Sequence, residues 1–182
     1  MILIMLGHKE IIKMGNPILR QVAEPFTVEE ILSKETNHLI ERMWRVMDEA
    51  GGIGLAAPQI SISKQLTVIR LEDSSERYPG IQNSPEFIIF NPKISIIDEE
   101  NQGFWEGCLS IPALRGYVER PRKILVEYMD EKAKSMEIEL DGFLATVFQH
   151  EIDHLFGKLY VDRISNNELI VYEDELDNIS KK

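Results

Sequence analysis

The sequence has a single cysteine, Cys108, so the chain can form no internal disulfide. A lone thiol suits a reducing cytosol, where it serves as a buried hydrophobe, a nucleophile or a metal ligand. Long apolar runs are also missing. The N-terminal "MILIMLGHK" is too short in its apolar part for a signal peptide or a membrane span, and we expect it to form a first strand or an ordered arm. We therefore expect a cytoplasmic protein with no membrane partner; no transit peptide is seen, although an organellar origin stays open.

Basic residues are scarce as well. The chain has 20 Lys and Arg against 31 Asp and Glu, for a formal net charge of −11. This balance argues against proteins whose affinity comes from neutralising phosphates, so we expect no DNA partner. The length of 182 residues supports one domain, residues 1–182, with a substantial core, and is short for two.

Two helices are predicted with defined ends. Thr27 and Glu30 form a capping box, and apolar residues at helical spacing carry this first helix to about Ala50, before a pair of glycines. The second helix is expected from Gly142 to Leu155 and closes at Gly157. The acidic tail, residues 165–182, could add a third helix.

The remaining chain predicts strands separated by polar turns. The strands are expected at 65–71, 87–91, 93–98, 116–120, 123–129 and 135–140. "DEENQG", residues 98–103, is expected to be a turn, and the segment between the first two strands a long polar loop. Strands in runs with few helices indicate a single-domain α+β fold, with antiparallel or mixed β-sheets around a central helix.

The stretch "QHEIDH", residues 149–154, carries the clearest chemistry. His150 and His154 are four residues apart on the second helix, so both imidazoles can reach one metal ion. Glu151 lies about 100° further round the helix, where it can act as a general base without binding the metal. The alternative is a helix with two exposed or hydrogen-bonded histidines and an ordinary glutamate.

A catalytic metal needs a third ligand. No histidine follows His154, while Asp162 and Glu168 are possible donors. Cys108, in "EGCLS", is the better candidate, because it completes a Cys/His/His set that leaves one position open. The alternative for a lone cysteine is a buried structural role.

A third segment, "GIGLAAPQ" at residues 52–59, combines small residues with an amide. The small residues allow close backbone approach, and the Gln59 amide can donate a hydrogen bond. A turn of small residues between a helix and a strand explains the segment equally well.

Together the three segments resemble the peptide deformylase family. That family carries Gly-x-Gly-Leu-Ala-Ala-x-Gln, Glu-Gly-Cys-Leu-Ser and Gln-His-Glu-x-Asp-His in this order, and every defining position is matched here. "NPILR", "NPKI" and "HLFGKLYVDR" extend the resemblance over most of residues 11–164. The resemblance implies a metal-dependent hydrolase that removes the formyl group from N-formylmethionine of nascent polypeptides and releases formate.

The resemblance also implies roles for individual residues. The resemblance makes Cys108, His150 and His154 the metal ligands and Glu151 the general base. The two donors to the oxyanion would be the Gln59 side-chain amide and the Leu109 backbone N–H. The substrate would contact the backbone of Ile53 and Gly54, the Arg115 side chain, and a methionine pocket formed by Phe143, Thr146 and Val147. The three pocket residues are equally well explained as ordinary core residues of the second helix.

Two arguments favour different metal ions for this site. A soft thiolate and a site with one open position favour zinc. The resemblance favours Fe(II), which we expect as the native ion, with Zn, Ni or Co able to substitute.

Two other functions remain open at this stage: a general His-Glu-x-x-His metallopeptidase, and an inactive relative that keeps the fold. The chain also departs from the family pattern, since Phe104 and Trp105 precede the cysteine segment where many members are more polar or acidic. The tail is acidic, which argues against more than a transient contact with the ribosome. Because every motif lies upstream, truncation after Asn166 is expected to spare the hydrolysis of short formyl peptides.

Overall fold

The computed structural model describes residues 8–73 and 82–179. Most of the predicted N-terminal strand or arm, and the middle of the long polar loop, fall outside the described residues. The described α-helices are α1 Val28–Ile31, α2 Lys34–Glu49, α3 Gly142–Leu155 and α4 Leu176–Ile179. Short 3-10 helices cover Pro17–Arg20, Ala57–Ile60, Tyr160–Arg163, Asn167–Leu169 and Glu173–Glu175.

The strands pair into one antiparallel sheet. They are β1 Gly54–Ala56, β2 Leu66–Ile69, β3 Phe87–Cys108, β4 Ile111–Met129, β5 Ser135–Asp141 and β6 Ile170–Tyr172. Their order is β1-β2-β3-β4-β5, and β6 pairs with the part of β4 that β5 does not cover. The predicted α+β class is confirmed, and the sheet is antiparallel throughout its described pairings.

Helix α3 is the centre of the molecule. Every residue from Ala145 to Leu155 is buried, including the polar ones. One side of the helix packs against the sheet through Phe148 and Ile152, in a cluster with Ile89 and Val126. A helix buried all round holds its polar side chains in fixed places, because no solvent competes for their hydrogen bonds. No helix in the described residues is long and apolar enough to cross a membrane.

The predicted first helix is divided in two. The Thr27–Glu30 capping box is present, with Glu30 N to Thr27 Oγ1 at 3.2 Å and Thr27 N to Glu30 Oε2 at 2.7 Å. The helix it starts ends at Ile31, and the Ser33 side chain caps a new one by accepting from Thr36 N at 3.1 Å. Serine favours such caps over helix interiors, which explains the break.

The predicted turn at residues 98–103 is wrong. β3 continues through it as one strand from Phe87 to Cys108, paired with β4 along its length. Register shifts at Ile96/Asp98 and Asp98/Asn101 accommodate the polar residues. Residues 96–101 are exposed, so this part of the hairpin needs no apolar alternation to form.

The tail is also different from the prediction. Residues 170–172 form strand β6 on the edge of β4, with Arg115 opposite Val171, and only Leu176–Ile179 is α-helical. A three-residue strand carries too little periodicity to be recognised in a polar sequence.

Candidate active site

Three potential metal ligands converge where β3 ends against α3. Cys108 Sγ lies 3.3 Å from His154 Nε2, and one ligand atom from each of Cys108, His150 and His154 lies within 4.8 Å of the others. All three side chains are buried. The helix supplies both histidines from successive turns, and the sheet supplies the thiol from the end of a strand.

The protonation of the thiol suits metal binding. Burial alone would raise the pKa of the Cys108 thiol, but the neighbouring His154 and His150 outweigh it and hold this pKa well below its usual value. The thiolate form, which is the one that binds metals, is therefore favoured. One thiolate and two imidazoles are donors for a divalent transition ion, and three protein ligands are the usual number in catalytic sites. The residues present fit such an ion.

His150 is supported by a buried chain of charges that the sequence did not reveal. Its Nδ1 lies 2.7 Å from Glu106 Oε2, which leaves Nε2 free to face the metal position. Glu106 in turn accepts from Arg120 at 2.6 and 3.0 Å, and Arg120 also donates to Asp153 at 2.8 Å. Burial opposes ionisation of Glu106, but His150 and Arg120 lower its pKa below the usual value.

The signal for this network was present but ambiguous. Glu106 and Asp153 belong to "EGCLS" and "QHEIDH", each one or two residues from a ligand, and a charged residue in a buried segment needs a partner. The partner, Arg120, lies in a strand whose position only the fold reveals. His154 differs from His150, since its Nδ1 is buried without a hydrogen-bond partner among the described residues.

Glu151 lies beside the ligands in the same cleft. Its side chain is 5% exposed, and Oε2 has no hydrogen-bond partner in the described part of the chain. Burial raises the pKa of this carboxyl above its usual value, against the opposing effect of His150 and His154. A carboxyl group with a raised pKa can both accept and return a proton near neutral pH.

Gly54 is needed to make room for that carboxyl group. A Cβ at position 54 would lie 2.5 Å from Glu151 Oε1, closer than any stable contact. Gly54 therefore leaves the space that the Glu151 side chain occupies, in addition to the substrate role that the sequence suggested.

Gln59 is oriented by the backbone three residues before it. Its Oε1 accepts from Ala56 N at 2.8 Å, so the amide nitrogen must face the other way. Nε2 lies 3.2 Å from Ser110 Oγ and 3.5 Å from Cys108 Sγ. The amide thus offers an N–H donor beside the potential metal ligands.

A cleft of about 480 Å³ is lined by Gln59, Cys108, His150 and Glu151. Leu109 also lines the cleft. So do all but one of the residues predicted to contact substrate, namely Ile53, Gly54, Phe143, Thr146 and Val147. Val147 and Phe143 also pack in the core around α3, so the two interpretations of the pocket residues are compatible. The cleft wall further includes Trp105, Glu106 and Gly107, which sequence reasoning did not place in the site.

Arg115 is the predicted site residue that the structure does not place in the cleft. It is 3% exposed and forms an ion pair with Glu173 of the tail, with Nε to Oε1 at 2.9 Å. Arg115 is opposite Gly107 in the β3–β4 register, so it lies next to the cleft wall and not within the lining.

A thiol and two histidines around a cleft, with a buried carboxyl group beside them, define the site of a metallohydrolase. A family model described as polypeptide deformylase matches residues 8–169. The chain belongs to the polypeptide deformylase family, whose members hydrolyse the N-formyl group of peptides. A general metallopeptidase and an inactive relative are not favoured.

Individual relatives agree with this assignment. The chain is 47% identical to a peptide deformylase of Leptospira biflexa over 173 residues, which is 95% of this chain and 97% of that protein. It is 40% identical to peptide deformylase 2 of Pseudomonas putida over 168 residues, covering 92% of this chain and 94% of that protein.

Solved structures show the same fold. A class I type b peptide deformylase from Acinetobacter baumannii, bound to Met-Ala-Ser, superposes with a TM-score of 0.81 at 36% identity, covering 85% of this chain and 96% of that chain. A Synechococcus elongatus peptide deformylase in complex with actinonin superposes with a TM-score of 0.77 at 40% identity, covering 87% of this chain and 79% of that chain.

Proposed function

We propose that this enzyme removes the formyl group from N-formylmethionine at the start of nascent polypeptides, with Cys108, His150 and His154 holding one divalent metal ion. The observation that carries the proposal is the convergence of the three ligand atoms within 4.8 Å, beside a cleft that Cys108, His150 and the buried Glu151 line. We propose that the whole chain, residues 1–182, serves as one catalytic domain.

A divalent ion held there would lower the pKa of a water molecule and polarise the formyl carbonyl group. Glu151 accepts a proton from the attacking water molecule as the oxygen of that water adds to the formyl carbon. The same carboxyl group then delivers the proton to the amine nitrogen of methionine as the C–N bond breaks, which yields formate and a free amino terminus. The burial that raises the Glu151 pKa supports this double role.

Two donors stabilise the oxyanion that forms on the formyl oxygen. They are the Gln59 side-chain amide and the Leu109 backbone N–H, which follows Cys108 directly in the turn between β3 and β4. The Gln59 donor is preorganised, because the bond from Ala56 N to Gln59 Oε1 holds the N–H group toward Cys108.

The peptide lies along β1. This strand is at the end of the sheet order, and Ile53 and Gly54 line the cleft, so an extended peptide can add to its outer edge. The methionine side chain then fits against the apolar groups at the start of α3, which are Phe143, Thr146 and Val147.

Fe(II) is the native ion in this proposal, and Zn, Ni or Co can replace it. A thiolate with two imidazoles binds all four, so cellular availability decides which is bound. Stripped protein reconstituted with Fe(II) under argon is expected to be more active than the zinc form and to lose activity in air. A zinc form that matches the iron form in initial rate would make this a zinc enzyme.

The partners of the enzyme are formylated nascent chains in the cytoplasm. Contact with the ribosome is expected to be transient at most, since the tail is rich in Glu and Asp, which ribosomal RNA repels.

The proposal is tested by formate release from formyl-Met-Ala-Ser, measured together with bound metal. Replacing Cys108, His150 or His154 with Ala should abolish both, and His38→Ala, at an exposed histidine of α2, should change neither. Near-normal metal content in a ligand variant would remove that residue from the site. Cleavage of unformylated peptides at a comparable rate would favour a general peptidase.

A further inference from the structure

Gln102 of β3 joins the sheet to the beginning of α3. Its half-buried side-chain amide donates to Gly142 O at 2.6 Å and to Thr146 Oγ1 at 3.1 Å. Gln102 is directly opposite Arg120 in the β3–β4 register, and directly opposite side chains point to the same face of a sheet. That face is the one toward α3, since Arg120 donates to Asp153 of the helix. The position of Gln102 in the strand therefore directs its amide at the helix.

Thr146 is the point where this amide meets the wall of the cleft. Thr146 lines the cleft and belongs to the proposed methionine pocket, whereas Gln102 lies outside the lining. Because the Gly142 carbonyl group can only accept, the nitrogen of the Gln102 amide lies on this side, and the Thr146 hydroxyl oxygen accepts from it. The Cβ of threonine carries one hydroxyl and one methyl group. With the hydroxyl directed at a residue outside the lining, the methyl group is left to face the cleft.

This hydrogen bond sets the polarity of the pocket wall at Thr146. A methionine side chain that enters the cleft gains free energy by burial against a methyl group. It would lose free energy by covering a hydroxyl group that has no hydrogen-bond partner. Gln102 supplies the partner from behind the wall, so the hydroxyl group stays satisfied when the cleft is filled.

We propose that Gln102 is a positioning residue for substrate specificity, which holds the Thr146 hydroxyl group away from the cleft so that the methionine side chain packs against the Thr146 methyl group. This inference rests on the proposed deformylase function and on the methionine pocket described there. Loss of Gln102 should therefore affect the choice of side chain at the formylated residue and not the chemistry at the formyl group.

The test compares kcat/KM for formyl-Met-Ala-Ser and formyl-Ala-Ala-Ser on the same metal-loaded preparation. The ratio of the two values does not depend on how much of the preparation is folded or loaded. Wild type should prefer the Met peptide. Gln102→Leu should lower this preference by about three- to tenfold, the value of one hydrogen bond to a buried group. The loss should appear mainly in KM, because the methionine side chain is bound alike before and during the reaction.

Two variants of Thr146 separate positioning from a general structural role. Thr146→Val removes the hydroxyl group and puts a methyl group in its place. In that background Gln102→Leu should change the preference by less than about twofold. Thr146→Ser keeps the hydroxyl group for Gln102 and removes the methyl group, which should lower the preference by about fourfold, the value of one buried carbon group.

Gln65 provides the matched control. It is also a half-buried glutamine whose amide donates to a backbone carbonyl, Ala23 O at 3.0 Å, and it lies outside the cleft lining. Gln65→Leu should leave the preference at its wild-type value.

Three results would overturn the inference while leaving deformylation intact. They are an unchanged preference in Gln102→Leu, an equal loss with and without the Thr146 hydroxyl group, and an unchanged preference in Thr146→Ser. Absence of a preference for the Met peptide in wild type would overturn it as well. Failure of wild type to hydrolyse either peptide would refute the proposed function instead.

Discussion

Strand β4 contains two buried arginines that are held in different ways. Arg120 is 2% exposed, and its partners Glu106 and Asp153 are buried with it. Arg115 is 3% exposed, but its tail partner Glu173 has a side chain that is 40% exposed. The two arginines are five positions apart, so they lie on opposite faces of the strand.

The partners of Arg120 belong to the catalytic core of the molecule, and the partner of Arg115 belongs to its edge. The Arg120 network reaches a metal ligand, since Glu106 bonds to His150 and Asp153 precedes His154. The Arg115 pair connects β4 to the tail, beyond the residues that the family model covers. Breaking the first pair should therefore disturb both stability and metal binding, and breaking the second should disturb stability alone.

The largest effect is expected from Arg120→Met, which leaves Glu106 and Asp153 buried without their shared cation. Removing one partner of a buried ion pair costs about 3–5 kcal/mol. Chemical denaturation of the variant and wild type measures the difference in the free energy of unfolding. A loss below about 1 kcal/mol, the value of an exposed pair, would show that the network is not desolvated.

A smaller effect, on metal affinity and not on stability, is expected from Glu106→Gln. Loss of the carboxylate partner of a histidine ligand usually weakens metal binding by about 10–100-fold. Competition with a chelator measures the affinity, and Glu173→Gln is the matched control because it neutralises the corresponding partner of Arg115. Equal affinities in the two variants would contradict the distinction between the two arginines.

The third effect concerns the tail itself. Glu173→Gln should cost about 1–2 kcal/mol, between the values for exposed and buried pairs, and truncation after Asn166 should cost more because it also removes β6. The expectation that truncation after Asn166 spares the hydrolysis of short formyl peptides concerns activity, and it stays a prediction beside this expected loss of stability. Thermal unfolding that is unchanged by this truncation would show that β6 and the Arg115–Glu173 pair contribute little to stability.

The smallest effect is expected from truncation after Glu175. This cut keeps β6 and Glu173 and removes the short helix α4, in which residues 177–179 are exposed. Unfolding temperature and turnover should both stay at wild-type values, which provides the control for the longer truncation. A loss as large as that of the cut after Asn166 would place the important contacts after Glu175.

The sequence could predict those parts of the site whose residues are close along the chain. His150, Glu151 and His154 lie within five residues of one helix, whose periodicity fixes their relative directions. Cys108 and Gln59 were predicted from short segments and a family resemblance, and the structure places both beside the helix.

The parts that could not be predicted depend on pairings between distant residues. Arg120 and Glu173 are ordinary charged residues until the fold shows which buried group each one contacts. The polar residues at 98–103 read as a turn, because sequence alone does not show that the β3–β4 hairpin extends into solvent there.

In the proposed mechanism, Glu151 transfers the proton and does not bind the metal. The most direct test measures formate release from formyl-Met-Ala-Ser and the metal content of the same preparations of wild type and Glu151→Ala. Full metal content with turnover lowered by about 10²–10⁴-fold is the predicted result. Loss of metal together with activity, or turnover within a few-fold of wild type, would contradict it.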